Sequence, residues 1–282
     1  ARIKRYNFRS KVEQLIVEPV SQSSANQRTG RCGRVANGIC IRLYDVDSFN
    51  KRPKFTDPEI LRSSLAGIIL KMKSLHLGSV EDFPFLESPS SRAITDGYQL
   101  LHEIGAVDDR QNLTTLGSTL SKLPLDPRVG RMLIEAEQRG ALDEILVIAS
   151  ALSVQDVRDR PSDLQEQADF AHIKFDDEKS EFTGYLKLWR WIKQARGGDG
   201  KKRLSNRHYE QLLRQNFINI RRVREWADIF EQLKTVVAEH KWRLNTLPSS
   251  YEQLHMSILA GLIGNIGSKI ESQGNSGEYL GA

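Results

Sequence analysis

Cysteine is nearly absent from this chain of 282 residues: Cys32 and Cys40 are the only two. They are too few for a disulfide framework and, beside six scattered histidines, offer no zinc-ligand spacing. This points to a reducing, cytoplasmic compartment and to no metal held by these residues. Long apolar runs are missing as well. The longest mainly apolar stretch, Ile145 to Leu152, is about eight residues, far below the ~20 that cross a bilayer. The polar start Ala1 to Tyr6 has no signal-peptide core and no initiating methionine, so the chain reads as a piece of a longer protein without a membrane span. Internal repeats and low-complexity tracts are absent too.

What is present fits an ordinary globular protein, with 39% hydrophobic and 27% charged residues. At about 150 residues per domain, the length suggests roughly two domains. The net charge of +5 is unevenly spread. Residues 1–52 carry 11 Lys+Arg against 4 Asp+Glu, and 180–245 carry 15 against 7, whereas 53–179 carry 14 against 22. Two basic segments around an acidic middle suggest two surfaces that face a polyanion.

Residues 6–20 predict two extended runs around a polar turn near Arg9–Lys11, a basic β-hairpin. Gly38 to Tyr44 fits a buried strand. From Asp57-Pro58-Glu59, a cap, an N1 proline and a first-turn acid, the spacing of Ile60, Leu61, Leu65, Ile68, Ile69 and Met72 predicts a helix. A second helix begins after Pro89 and stops at Gly105, and Leu113 to Leu120 reads as a short strand and turn. Residues 127–245 are helical in pattern, and Leu213, Phe217, Ile220, Val223, Phe230, Leu233 and Val237 trace one apolar stripe. A single helix of perhaps 35 residues along that stripe would exceed ~50 Å unless it breaks. The basic loop Ala195–Lys202 precedes it, one more apolar helix follows Pro248, and Tyr279-Leu-Gly-Ala282 looks like a first strand of another domain. Trp189, Trp191, Trp226 and Trp242 read as core anchors rather than base-stacking platforms. The acids Asp176, Asp177 and Glu178 read as first-turn residues of a helix.

The stretch that carries chemistry is Gln27-Arg-Thr-Gly-Arg-Cys-Gly-Arg34. If Arg31 and Arg34 open a helix, they project from one face, and each guanidinium offers a phosphate two hydrogen bonds in fixed geometry, which lysine does not. Gly30 and Gly33 allow close approach or unusual dihedrals, and Gln27 is able to orient a water. Phosphoryl transfer depends on such positioning and charge neutralisation, where one arginine is worth ~10³–10⁵ in rate. An isolated Arg-Gly-Arg reads first as a basic loop that binds RNA or nothing; the full run is longer than that.

With its flanks, Pro19-Val-Ser-Gln-Ser-Ser-Ala before and Gly38-Ile-Cys-Ile-Arg-Leu-Tyr44 after, then Asp57-Pro-Glu-Ile-Leu-Arg62, this stretch resembles motif VI of DEAH-box ATP-dependent RNA helicases. Phe83-Pro-Phe-Leu, Leu123-Pro-Leu-Asp-Pro-Arg128, Ala151-Leu-Ser-Val-Gln-Asp-Val-Arg158 and Asp159-Arg-Pro161 resemble the region that follows in that family. Asn26 to Cys32 and Arg222-Val-Arg-Glu-Trp226 are closest to its bacterial HrpA type.

The resemblance implies a mainly α fold in four parts. Residues 1–56 would be the end of a second RecA-like α/β domain with its β-hairpin, 57–126 a winged helix, 127–245 a helical-bundle ratchet domain, and 246–282 the start of an OB-fold. It implies ATP with Mg²⁺ as the nucleotide, Gln27 orienting the attacking water, and Arg31 and Arg34 on the γ-phosphate, Arg34 being the arginine finger. Gly30, Gly33 and Arg28 would support the nucleotide, and Cys32 would be a small packing residue. The P-loop and the Asp-Glu-Ala-His motif for Mg²⁺ are absent from this sequence, so the resemblance implies an inactive fragment that needs the missing N-terminal RecA-like domain in cis.

The expected partner is single-stranded RNA, or a duplex with an overhang, in a ribonucleoprotein or ribosome-associated substrate, and the implied direction is 3′ to 5′. Tyr6, Arg9 and Lys11 on the hairpin and Arg221 and Arg222 on the ratchet helix are the RNA-contact candidates. The alternative is a non-catalytic nucleic-acid-binding or partner-docking module.

Overall fold

The computed structural model describes residues 2–7, 12–197, 204–269 and 279–281, which fall into two compact units, Ala1–Lys122 and Leu123–Ala282. Arg9 and Lys11, the hairpin turn and most of the Ala195–Lys202 loop lie outside the described residues.

The first unit opens on strands β1 (Arg2–Asn7) and β2 (Val12–Val17), antiparallel from Arg2↔Val17 to Asn7↔Val12. The hairpin thus begins four residues before the expected start. Arg5 ties its base down, bonded to Glu18 and to Asp57 at 2.8 Å. These partners hold the Arg5 pKa above its ordinary value, and Arg5 holds the Glu18 carboxyl below the usual range. The Tyr6 amide donates to the Arg62 carbonyl at 2.7 Å, joining β1 to the chain beyond Asp57.

Helix α1 (Gln22–Arg31) follows, then the short α2 (Val46–Asn50). Gly38 to Tyr44 is not a buried strand: Ile39, Ile41 and Leu43 are exposed, and among the described residues no strand pairs with them. A strand needs a neighbour to satisfy its backbone, and apolar alternation alone does not supply one. The helix expected from Asp57 is split as well. Glu59–Leu61 is a 3-10 turn, and α3 (Ala66–Ser74) starts only after a break, because Asp57 is spent on Arg5 and on its carbonyl bond from Arg62 instead of capping.

Helix α4 (Ser91–Glu103) is capped by Ser90 and ends before Gly105 at φ 76°, as the pattern predicts. The expected strand at Leu113 reduces to one bridge with Val107. Thr114 instead caps helix α5 (Thr115–Leu120), its hydroxyl accepting from the Gly117 amide at 2.9 Å. Leu65, Ile69, Leu101, Val107 and Leu120 form the core of this three-helix, single-bridge module.

The second unit is helical, as its periodicity predicts. Helix α6 (Pro127–Arg139) has Asp126 as cap and Gly140 in the left-handed region as its stop, and α7 (Leu142–Leu152) runs through the centre of the unit. Then come α8 (Gln165–His172) and α9 (Glu181–Ala195). Asp176 to Glu178 precede α9 rather than opening it, and Asp177 pairs with Lys187 at 3.1 Å.

The long apolar stripe is broken. Helix α10 (Asn206–Gln215) stops two residues before Phe217, whose φ of 53° is left-handed, and α11 (Ile220–Glu239) restarts behind the cap Asn219. Helix α12 (Tyr251–Leu262) packs along α6, where a Cβ on Gly261 would stand 2.4 Å from the Arg128 carbonyl oxygen. Strands β3 (Gly267–Lys269) and β4 (Tyr279–Gly281) pair antiparallel, so the last run has its partner inside the chain.

Trp226 is fully buried between α7 and α9, its indole N–H reaching Ser150 Oγ at 3.0 Å, and the Trp189 ring packs against it in a tilted arrangement with centroids 4.7 Å apart. Both are core anchors, with Trp191 and Trp242 half-buried at the edges. Among the described residues no helix is long and apolar enough to cross a membrane.

Candidate functional site

Helix α1 is a lever held at one end. Ser21 caps it, its hydroxyl accepting from the Ser24 amide and meeting the Thr56 hydroxyl at 3.0 Å. The amides of Gln22 and Ser23, which no helical carbonyl reaches, donate to the carbonyls of Pro53 and Lys54 at 3.0 and 2.9 Å. The Gln22 side chain donates to the Arg52 carbonyl at 2.8 Å, and Ala25 is buried. The Ser- and Gln-rich approach to the motif is therefore an anchor.

The motif itself is at the other end. Gln27, Arg28 and Gly30 lie in the last turns of α1, Arg31 is its final residue, and Gly33 and Arg34 follow in the turn. The arginines close a helix where the expectation had them open one. Serine at position 21 caps the helix, which ends ten residues later at Arg31 with Cys32 as its C-cap. Arg28 and Arg31 complement the negative end of the helix dipole.

Gln27, Arg28, Arg31 and Arg34 are all exposed, and among the described residues none forms a side-chain hydrogen bond or ion pair. Gly30 and Gly33 adopt no left-handed backbone, and a Cβ at either would meet open space. They are glycines of clearance, not of conformation. Gly38 is the tight one, since a Cβ there would stand 2.3 Å from the Cys32 carbonyl oxygen.

The inner face of α1 carries a second set of contacts. Arg42 donates to Asn26 Oδ1 at 2.7 Å and to Thr29 Oγ1 at 3.4 Å, with its guanidinium 4.3 Å from the Phe49 ring centroid. Thr29 Oγ1 also bonds the Ala25 carbonyl and donates to Cys40 Sγ.

In the second unit, the elbow between α10 and α11 is bonded to the segment 156–160. The Asp159 amide donates to the Phe217 carbonyl at 2.7 Å, the Asn219 amide to the Val157 carbonyl at 2.8 Å, and Arg158 bridges Ile218. Arg222 donates to Asp159 Oδ1 and to the Asp156 carbonyl, both at 2.8 Å. Arg158 pairs with Asp156 at 2.7 Å, a hydrogen bond that holds its pKa above the ordinary value. Arg221 is exposed and lines an open groove of about 490 Å³ with Arg214, Phe217, Glu210 and Asp159.

Comparison with known proteins gives two family matches: "Helicase associated domain (HA2), ratchet-like" over residues 126–199 and "Helicase associated domain (HA2), winged-helix" over 98–125. Over its full length the chain is 48% identical to ATP-dependent RNA helicase HrpA of Escherichia coli (strain K12), spanning 22% of that protein. It is 44% identical to the HrpA homolog of Haemophilus influenzae, again spanning 22% of it. Across 94% of the chain it is 32% identical to the human protein named probable ATP-dependent RNA helicase DHX35, 36% of whose length is covered. The chain thus carries the two helicase-associated HA2 segments and is similar over nearly all its length to these helicases, of which it spans between 22% and 36%.

The first unit brings Gln27, Arg28, Gly30, Arg31, Gly33 and Arg34 together at one helix end. Half-buried Tyr6 is on the hairpin of the same unit, paired in register with Glu13. Arg221 and Arg222 sit side by side at the start of α11, but Arg221 is exposed and Arg222 is committed to Asp159. Sequence reasoning missed Arg42 and Gly38 as supports of the motif. One signal was available: an arginine inside Ile-Cys-Ile-Arg-Leu-Tyr is out of place in a buried strand.

Proposed function

We propose that this chain is the C-terminal half of the motor of an ATP-dependent, 3′-to-5′ RNA helicase, and that it works only joined to an upstream RecA-like domain. The observation that carries the reading is the set of unpartnered groups at the end of an anchored helix, Gln27, Arg31 and Arg34. Arginines that structure alone required would be paired within the fold. In this reading 1–56 completes the second RecA-like domain, 57–126 is the winged helix, 127–245 the ratchet and 246–282 the start of an OB-fold.

Arg34 is the arginine finger, Arg31 a second donor to the γ-phosphate, and Gln27 orients the water. Gly30 and Gly33 give the phosphates clearance, and Arg28 lies beside them. In this reading the ligands of Mg²⁺ belong to the upstream domain, and the chain alone does not hydrolyse ATP. The exposed pair Cys32 and Cys40 fits a reducing cytoplasm.

RNA follows the basic segments, with Tyr6, Arg9 and Lys11 at the hairpin and Arg221 at the elbow groove, largely through the backbone and without sequence preference. Arg222 acts there by holding the elbow through Asp159. The test is ATP turnover by the full-length protein with and without single-stranded RNA, native against Arg34→Ala. The expected result is RNA-stimulated turnover that falls about 10³-fold or more in the variant, with RNA affinity retained. Turnover indifferent to Arg34, or equal loss of both activities, overturns the arginine-finger role in favour of a binding module.

A further inference from the structure

We propose that Arg42 is a positioning residue for the motif, gripping the inner face of α1 so that Gln27 and Arg31 are presented in one fixed orientation. The inference rests on the motor reading above and adds a residue outside the motif to it. Three observations converge on Arg42.

Its guanidinium is shared between two positions of the helix, Asn26 Oδ1 at 2.7 Å and Thr29 Oγ1 at 3.4 Å, which lie one turn apart on the face that also buries Ala25. Gln27 and Arg31, one turn apart on the outward face, are each within two residues of a gripped position. The guanidinium is itself held, its Cζ 4.3 Å from the Phe49 ring centroid in a cation–π contact, and its planar, fixed set of donors is one that a lysine ammonium does not reproduce.

The grip is also placed where the helix has least other support. The Ser21, Gln22 and Ser23 anchors secure the first turn. At the far end, the described contacts of the inner face run to a single segment, Gly38 against Cys32, Cys40 against Thr29 and Arg42 against Asn26. Arg42 is the charged, two-point member of that set. Reactions that run on orientation are sensitive to small displacements, and a shift of ~1 Å costs roughly 100-fold. An arginine that touches neither phosphate nor water would therefore control turnover through Gln27 and Arg31.

The test compares Arg42→Lys, Asn26→Ala and the double variant in the full-length protein, each also in an Arg31→Ala background. Positioning predicts that Arg42→Lys lowers kcat for RNA-stimulated ATP hydrolysis about 10- to 100-fold, with KM for ATP, RNA affinity and melting temperature essentially unchanged. Asn26→Ala, on an exposed side chain, should give a smaller loss in the same direction and add little to Arg42→Lys. In the Arg31→Ala background, most of the effect of Arg42→Lys should disappear. Equal effects in both backgrounds, native turnover in Arg42→Lys, or a loss that tracks melting temperature overturns the proposal. If Arg42→Lys does not fold, Asn26→Ala decides by the same criterion. If Arg31→Ala leaves turnover unchanged, the motor role of Arg31 has failed and this inference with it; if Arg31→Ala is damaging while Arg42→Lys is neutral, only the inference has failed.

Discussion

Gly38 shows how a single missing side chain sets the path of the loop that carries Arg34. A β-carbon there would stand 2.3 Å from the Cys32 carbonyl oxygen, and that oxygen is backbone that cannot swing away. Gly38→Ala must therefore move either the turn at Cys32–Arg34 or the segment beyond it. In the full-length protein this substitution is expected to lower ATP turnover at least about 10-fold, with a melting temperature close to native because residues 31–38 are exposed. Gly30 and Gly33 make the opposite case, since each has open space at its β-carbon. The sequence made all three glycines look alike; only the neighbour of each one tells clearance from tight packing. The motif arginines were legible as phosphate-binding candidates because a guanidinium's hydrogen-bonding capacity resides in residue type and spacing. Arg42 was not, because its value comes from Asn26, Thr29 and Phe49, which the chain brings to it from up to 16 positions away.

At the scale of elements, neither the caps that form nor the breaks were read from the sequence. Ser90, Asp126 and Ser250 each cap the helix that follows, and the last forms a reciprocal box with Gln253. The apolar stripe from Leu213 to Val237 continues across two helices, because the core beneath it continues even though the backbone turns at Phe217. Asn219 sits at that turn with three tasks: its side-chain oxygen caps α11 at the amides of Arg221 and Arg222, its Nδ2 donates to Asp159 at 3.1 Å, and its amide donates to Val157. Asn219→Ala is expected to lower stability by about 1–2 kcal/mol in denaturant titration with an unchanged slope. Asn219→Ser, which keeps a capping oxygen, should recover part of that loss. The Asp57 helix failed for a related reason. A good cap sequence was diverted to a distant ion pair with Arg5, and no local rule sees a partner 52 residues away.

At the scale of the whole molecule, each of the two units contains one of the two basic segments of the sequence. Charge is used sparingly inside them. Glu135 on α6 illustrates the balance: burial pushes its pKa up, but hydrogen bonds from Arg131 at 2.8 Å and Arg139 at 2.6 Å prevail and hold it below the usual carboxylate range. A depressed carboxylate stabilises the fold above its unfolded pKa and loses that contribution as pH falls through the folded value. Glu135→Gln is thus expected to cost about 1.5 kcal/mol near neutral pH, as for a hydrogen bond to a charged group. The difference from native should shrink as pH falls through the carboxylate range, which denaturant melts at stepped pH will read.

By itself the sequence determined the helical character of residues 127–245 and the approximate starts of the helices that follow Pro89 and Pro248, because periodicity and chain-breaking residues are local properties of the chain. Tertiary structure alone decided that Gly38 to Tyr44 is no strand, that the long helix bends at Phe217, and that the motif arginines end a helix held by Arg42. Each of those outcomes depends on a partner far along the chain, and the free energy of such a contact is set by the fold that brings the two groups together.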